Sequence, residues 1–377
     1  MLKVNTIALF IIIFVLAFSC IACQAQKDNF CLKKSYELYK ASFMAKDGRI
    51  IDYDKNNITT SEGQSYIMLR SLVMDDKPTF DLTYNWTKNN LQRKDYLFSW
   101  LWGVNSKGEY KILDENTATD ADVDIAYALI LAYERWNQVQ YLQDAQNIIN
   151  SIWNNETRRI GSYLVLMPGV NQTKEDKIEI NPSYFAPYEF RFFQKYDDMH
   201  NWNFLIDSSY YYINQAMAKT KTHLPPNWFS IENGQIVLKD SERGDFSYDA
   251  VRVFIRIYID YLRTGEKRAL PILEKSKFFA DNWKKSKKFY TNYKANGELR
   301  DRLEFIGSIA ILTPIIEIFA PDVSSEIYKT KLEPIFNNPS YWEGKNGYYE
   351  KNLSWFGCYF YHKNADEYRK MNKYRLK

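Results

Sequence analysis

The sequence predicts a mainly α protein, built as a closed two-layer α barrel with one or two small β-hairpins. Three observations predict that class. Apolar residues recur at three- and four-residue steps along most of the chain, the period of a helix with one buried stripe. Strand-like stretches are few and short. Several helical segments are apolar around most of their circumference, and such helices need neighbours on both faces, which alternating inner and outer helices supply. Periodicity alone leaves an α-solenoid open, although no fixed repeat of about 34 residues is present.

In chain order, residues 1–25 read as an export signal: Lys3, an apolar run Ile7–Phe18, then small residues around Ser19–Ala25. The run is short for a membrane span. Ala25 is one cleavage point; a lipidated N-terminus at Cys20 or Cys23 is the alternative. Either places the mature protein outside the cytoplasm, secreted or lipid-anchored on the outer face of the membrane. Residues 26–377 contain no Pro-, Gly- or Ser-rich linker and read as one domain. Helices are expected over Asn29–Met44, Ser61–Met74, Phe80–Asn89, Ala121–Trp136 and Gln138–Trp153. Further helices are expected over Phe204–Lys219, Tyr248–Leu262, Leu270–Lys284, Leu303–Phe319 and Tyr341–Tyr361. The strand-like stretches are Arg49–Asp52, Ser162–Met167 and Gln235–Leu238. Val251–Leu262 and Phe305–Phe319 are the segments apolar on nearly every side.

Composition narrows the function. Hydrophobic residues make up 46% and charged residues 25%, the balance of a globular protein. The net charge of +4 drops to +3 once residues 1–25, with Lys3 their only charge, are removed. That is too balanced for a nucleic-acid binder. Aromatic residues reach 17%, including 30 Tyr and 10 Trp, a mild pointer to sugar, whose C–H faces stack on such rings. Cys31 and Cys358 stand near the two ends of the mature chain, as a disulfide or as two buried thiols. His200, His223 and His362 are scattered, so no metal site or cofactor is expected.

The stretch Ala118–Trp136, ATDADVDIAYALILAYERW, places Asp120, Asp122 and Asp124 at alternate positions ahead of an apolar helical stripe. Carboxylates are favourable at a helix start, and Thr117 with Asp120 fits a capping box. Capping accounts less well for three acids in five residues, because neighbouring carboxylates repel. A calcium loop fails: Ile125 stands where its glycine belongs and Leu131 where its bidentate Glu belongs. At nearly every position the stretch resembles the signature of glycoside hydrolase family 8, in which A-[ST]-D-[AG]-D opens an inner barrel helix. The resemblance implies an (α/α)6 barrel.

Other blocks carry the same resemblance, in the family's order, from about Gly48 to Phe360. Ile58–Met68, ITTSEGQSYIM, is similar to the family's S-E-G-Q-S-Y segment, which makes Glu62 the general acid. Read from the residues alone, Thr59 and Glu62 form a capping box. Gly63 in a first helical turn costs about 1 kcal/mol against Ala and often marks a close approach. Phe246–Val253, FSYDAVRV, resembles the Y-D-A-x-R block, which makes Asp249 the general base that activates water. The plainer reading is a helix-terminal acid paired with Arg252 at i+3; an adjacent Arg also favours the ionised carboxylate a base needs. Asn181–Phe192 is similar to the N-P-S-Y-F-A-P block, where Tyr184 holds the base or its water. Leu97–Trp102 resembles L-F-A-W, so Trp100 is the expected sugar platform and Trp102 core. Ile67 and Phe254 depart from a frequent Gly and a common Pro.

Glycoside hydrolysis needs one carboxylic acid to protonate the leaving oxygen and one carboxylate to activate water, in environments that differ. Glu62 has no basic neighbour in sequence, whereas Asp249 lies beside Arg252. Asp120 is assigned to binding and distorting the sugar at the cleavage point, with Asp122, Trp100, Tyr184 and Arg252 as further substrate-binding residues. The resemblance implies an inverting endo-β-1,4-glycanase, foremost an endoglucanase, and a monomer is expected. An enzyme trimming the bacterium's own exopolysaccharide is the close alternative. A sugar-binding lipoprotein without catalysis, or an α-solenoid interaction protein, are readings of another class.

Overall fold

A computed structural model describes residues 32–171, 173–174 and 177–362. Residues 1–25, read above as an export signal, and Cys31 lie outside these residues; Cys358 is buried. Helix α1 spans residues 32–43. Then come α2 (Ser61–Met74), α3 (Lys77–Leu91), α4 (Thr119–Trp136), α5 (Val139–Glu156), α6 (Pro187–Tyr196), α7 (Asn203–Lys219) and α8 (Ala250–Thr264). The later helices are α9 (Ala269–Leu273), α10 (Lys277–Ser286), α11 (Ile306–Phe319), α12 (Pro321–Ile327), α13 (Glu333–Phe336), α14 (Pro339–Trp342) and α15 (Tyr348–His362).

Neighbour packing runs α2–α4–α6–α8–α11–α15, an inner ring, and each inner helix also packs on an outer one: α3, α5, α7, α9 and α12 in turn. Trp355 of α15 donates to the Leu32 carbonyl at 3.3 Å, which brings α1 against the last inner helix. This is the (α/α)6 barrel. Burial separates the two rings. In α8 every residue from Ala250 to Asp260 is buried, and in α11 every residue from Gly307 to Ile316. The outer helix α5 instead buries one stripe: Tyr141, Ala145, Ile148, Ile149 and Ile152. Inner helices approach closely where side chains vanish: a Cβ on Gly357 of α15 would stand 2.3 Å from the backbone of Ala310 in α11. A cavity of about 160 Å3 remains along the inner helices, with Ile255, Ile311, Phe356 and the Asp124–Arg256 pair among its lining.

Ser61–Met74 forms the helix expected, and most others do within a few residues. The stretch Leu270–Lys284 is broken by a 3-10 turn at Glu274–Ser276. Tyr341–Tyr361 is interrupted after Trp342, because Gly344 and Gly347 take φ of 77° and 71°, a left-handed geometry that ends a helix. Sheet content is larger than the hairpins expected. Strands β1 (Thr59–Thr60), β2 (Ser99–Val104) and β3 (Tyr110–Thr117) form one antiparallel sheet, and β4 (Thr157–Ile160) pairs with β5 (Tyr163–Leu166). A third sheet orders β6 (Thr173–Lys174), β7 (Lys177–Ile180), β8 (Phe229–Glu232) and β9 (Gln235–Val237). Arg49–Asp52 makes only isolated bridges, Met44 to Ile50 and Asp52 to Ile58. These sheets lie at the inner-helix N-termini: β1 runs straight into α2, β3 into α4, and β7 leads to Asn181.

Candidate active site

Glu62 sits in the first turn of α2, half-buried. The cap here is Thr60, not Thr59: the Thr60 hydroxyl accepts from Gly63 N–H at 3.2 Å, while Thr59 donates to the Ile50 carbonyl. Gln64 is structural. Its side chain accepts from Ile50 N–H at 2.7 Å and donates to Thr87 at 2.9 Å, fixing the loop before α2 against α3. Gly63 meets a side chain: a Cβ there would lie 1.8 Å from the Tyr348 hydroxyl oxygen.

The acids of α4 divide by face. Thr117 and Asp120 do not form the capping box that fits the sequence. The cap position is Ala118, with no side-chain cap bond, and Thr117 donates to Glu156. Asp120, 2% exposed, instead takes a hydrogen bond from Arg252 of α8 at 2.5 Å. One turn on, Asp124 takes one from Arg256 at 2.5 Å; Arg256 also donates to Tyr188 and Glu189, each at 2.9 Å. The residues at i and i+4 of α4 thus match those at i and i+4 of α8, in two stacked layers. Asp122, two residues from each partner, points elsewhere. It is fully buried, accepts from Phe98 N–H at 2.8 Å and lies against Glu156. Its expected substrate contact is therefore corrected: Asp122 is fully buried and ties Phe98, the residue ahead of β2, to α4.

Asp249, just ahead of α8, is the counterpart of Glu62. Its side chain is one-third exposed (34%). Donors converge on it: Arg252 at 3.1 Å, Trp228 Nε1 at 3.0 Å and Asn181 Nδ2 at 3.2 Å. Asn181 and Trp228 flank paired strands β7 and β8, so that sheet positions two of the three. The Arg252 guanidinium also reaches the Tyr66 hydroxyl at 3.3 Å and lies 5.5 Å from the Tyr184 ring centre. Tyr184 packs edge-on to Trp228. Trp100 is partly buried on β2, whereas Trp102 packs on Trp86 and stacks on Tyr110.

Burial pushes the Glu62 carboxyl up to about 7, with the Asp120 charge adding to the effect and Arg252 opposing it. Arg252 is thus a basic neighbour that sequence adjacency did not reveal, but Asp120 offsets it. Burial also raises Asp120 against the pull of Arg252. The Tyr184 hydroxyl is far up for the same reason, so it remains a neutral phenol. Sequence reading missed Tyr66, Asn181, Trp228, Glu189 and Arg256 as site-supporting groups. Arg256 carried a signal in its i+4 spacing from Arg252, and Tyr66, Asn181 and Glu189 lie inside the blocks singled out above without a role assigned to them.

A model of glycosyl hydrolases family 8 matches residues 7–298. The chain belongs to glycosyl hydrolase family 8. An endoglucanase of Salmonella typhi is 30% identical over 232 residues, which cover 60% of this chain and 62% of that one. The family 8 chain thus spans about three fifths of the curated relatives it matches. Among solved structures, the endo-1,4-D-glucanase of Vibrio fischeri ES114 superposes with a TM-score of 0.74 at 24% identity, covering 88% of this chain and 97% of that one. The β-1,3-1,4-glucanase of Paenibacillus sp. X4 does so with 0.76 at 23%, covering 90% and 92%. At such identities the superpositions speak for the fold. Helix α15, which presses Tyr348 onto Gly63, lies beyond the residues matched to the family model.

Proposed function

We propose that the protein is an inverting endo-β-1,4-glycanase, foremost an endoglucanase, with Glu62 as general acid and Asp249 as general base. The observation that carries the reading is the asymmetry of the two carboxyls. Glu62 is held near pH 7 by burial and by Asp120, so it keeps a proton at working pH. Asp249 is reachable from solvent and gripped by Arg252, Trp228 and Asn181.

In the proposed reaction a β-linked glycan lies across the inner-helix N-termini, with one sugar stacked on Trp100. Glu62 gives its proton to the glycosidic oxygen as the bond to the anomeric carbon breaks. A water on the opposite face attacks that carbon and passes its proton to Asp249, which inverts the configuration. Asp120, oriented by Arg252, accepts hydrogen bonds from the sugar at the cleavage point and favours its distorted ring. Tyr184 donates toward the water or the base. Arg252 does not contact the reaction directly in this scheme: it pairs the two acids and keeps Asp249 oriented. A polysaccharide is the sole partner proposed, with the enzyme a monomer, and the export-like leader supports action outside the cytoplasm. The curated endoglucanase relatives favour β-1,4-glucan over the alternative, the bacterium's own exopolysaccharide.

The test is reducing-end release from soluble β-glucans, xylan, chitosan and bacterial exopolysaccharides by wild type and Glu62→Gln. Loss of about 10²–10⁴-fold in turnover on the preferred polymer is expected, the usual share of general acid catalysis. Wild-type turnover by Glu62→Gln would remove Glu62 from the chemistry.

A further inference from the structure

Two adjacent tyrosines open α15, and each touches the backbone beside one of the two proposed catalytic carboxyls. The Tyr348 hydroxyl fills the space a side chain on residue 63 would need, 1.8 Å from an ideal Cβ, with its Cζ at 3.1 Å. Residue 63 directly follows Glu62. The Tyr349 hydroxyl donates to the Tyr248 carbonyl at 2.9 Å, and residue 248 directly precedes Asp249. We infer that Tyr348 and Tyr349 are positioning residues that set the separation of acid and base, Tyr348 through Gly63 and Tyr349 through the Tyr248 carbonyl. The inference rests on the assignment of Glu62 and Asp249 made above.

The clamp is rigid at its own base. Tyr348 is 6% exposed, its ring packs edge-on to Phe43, and its N–H donates to Asp54 at 3.0 Å. Tyr349 stacks on Phe305, which in turn meets the Tyr248 ring edge-on. The loop that leads into α15 is tied down by its own helix: the Lys351 ammonium donates to the carbonyls of Glu343 at 2.8 Å and Gly344 at 3.2 Å. Arg70 of α2 donates to the carbonyls of Lys351 at 3.1 Å and Asn352 at 3.2 Å, beneath the rings of Tyr39 and Trp355. The helix bearing the acid is thereby bonded to the helix bearing both tyrosines. An inverting enzyme needs a gap that admits one water between base and sugar, and a 1 Å misplacement in such a site costs up to about 10²-fold in rate. Two contacts one residue apart on one stiff helix are suited to hold that gap.

The variants are Tyr349→Phe, Gly63→Ala and the double Gly63→Ala/Tyr348→Phe, assayed for kcat and KM on a soluble β-glucan, with Glu62→Gln alongside. Tyr349→Phe keeps the ring stack and loses only the hydroxyl; kcat should fall about 10-fold with KM within about twofold. Gly63→Ala should lose about 10²-fold in kcat, and the double variant should regain most of it, because the severe clash is with the hydroxyl oxygen and the remaining Cζ contact at 3.1 Å needs only a small shift of the ring. A purely structural role would lower the melting temperature without this split or rescue. Unchanged kcat in Tyr349→Phe, or a double variant no faster than Gly63→Ala, would overturn the clamp. Should Gly63→Ala not fold, Tyr349→Phe decides alone. If wild type cuts no β-glucan, the functional reading fails separately. Crystal structures of wild type and Tyr349→Phe then decide the clamp: an altered separation of Glu62 and Asp249 upholds it and an unchanged one overturns it.

Discussion

Asp120→Asn is the perturbation that most directly tests how the acid is tuned. Asp120 raises Glu62 by repulsion and offsets the Arg252 guanidinium, so the amide removes one negative charge and exposes one positive charge. Both changes favour the ionised form of Glu62. At an effective dielectric of about 20, two unit charges interact by about 4 kcal/mol at about 4 Å and by less farther apart. At about 1.4 kcal/mol per pH unit this sets an upper bound of about three units. Glu62 is only half-buried and cleft water screens it, so about one unit is the expected change. Glu62 must be protonated to act, so the alkaline limb of kcat/KM should lie near pH 7 in wild type. In Asp120→Asn it should move about one unit lower. The assay is a pH series of reducing-end release on a soluble β-glucan, read at limiting substrate. Turnover will fall as well through lost sugar contacts, but the position of the limb is independent of that loss. A limb that stays in place, or moves to higher pH, would refute the electrostatic account of Glu62.

Asp249→Asn should abolish turnover while oligosaccharide binding persists, measured by calorimetry, and wild type should release the α-anomer first from a β-linkage, read by proton NMR before mutarotation. Prompt β-anomer would mean retention and would remove Asp249 as base. Trp100→Ala should raise KM with little change in kcat, because a platform holds ground and transition states alike; a large fall in melting temperature at unchanged KM would make Trp100 core. Glu156 is fully buried and its carboxyl is pushed up to about 7, so the folded state holds a proton that the unfolded chain releases above about 4.5. That stability is complete below about pH 4.5 and is lost as pH rises through about 7. Glu156→Gln, which still accepts from Thr119, should therefore gain on wild type in melting temperature between pH 5 and 8; an equal difference at both ends would show that Glu156 does not titrate there.

What could be read from the sequence follows how local each feature is. The bounds of α2 were legible because an apolar stripe and a polar start lie in one continuous segment. The placement of Asp120 and Asp249 at helix starts was legible because short blocks put an acid there. Asp122 was misassigned because three alternate acids look equivalent in sequence. A helix turns about 100° per residue, so the second acid leaves the face that the first and third share. Both caps were misplaced by one residue, since the chain enters α2 and α4 from strands whose pairing no local pattern announces. Trp228 could not be found at all, and Asn181 was legible only as the first residue of its block, not as a partner of Asp249. They reach Asp249 only because β7 and β8 pair across 48 residues of sequence (Ile178 with Ile231 takes part), and each strand is too short to show a period. The hold of Arg70 on α15 spans 281 residues. Closure of a ring brings together its first and last members, and no window of sequence contains both.

The lower of the two stacked ion pairs, Asp124 with Arg256, presents a last problem: it is buried, it lies a turn below the acids proposed to act, and a buried pair is weak support for stability. Register offers an answer. Asp120 and Asp124 meet Arg252 and Arg256 one turn apart, so sliding α4 along α8 by one residue would strand both carboxylates and both guanidiniums out of water. Each stranded charge costs several kcal/mol, whereas the surrounding Ile and Ala contacts would slip at little cost. The pair should then matter more for alignment than for stability. Arg256→Met alone leaves Asp124 buried without its cation and should destabilise by about 3–5 kcal/mol in urea unfolding. The double variant Asp124→Leu/Arg256→Met should regain most of that, since apolar replacements of similar volume are often neutral or better. Glu189, whose carboxyl burial and the nearby Asp124 push far up, loses its hydrogen bond from Arg256 in both variants alike. The recovered double variant should nevertheless turn over about 10-fold more slowly than wild type, because only the upper pair then sets how α4 presents Asp120 to the sugar. Wild-type kcat in the double variant would mean that packing alone fixes the register; a double variant no more stable than Arg256→Met would mean that the pair is held for stability after all.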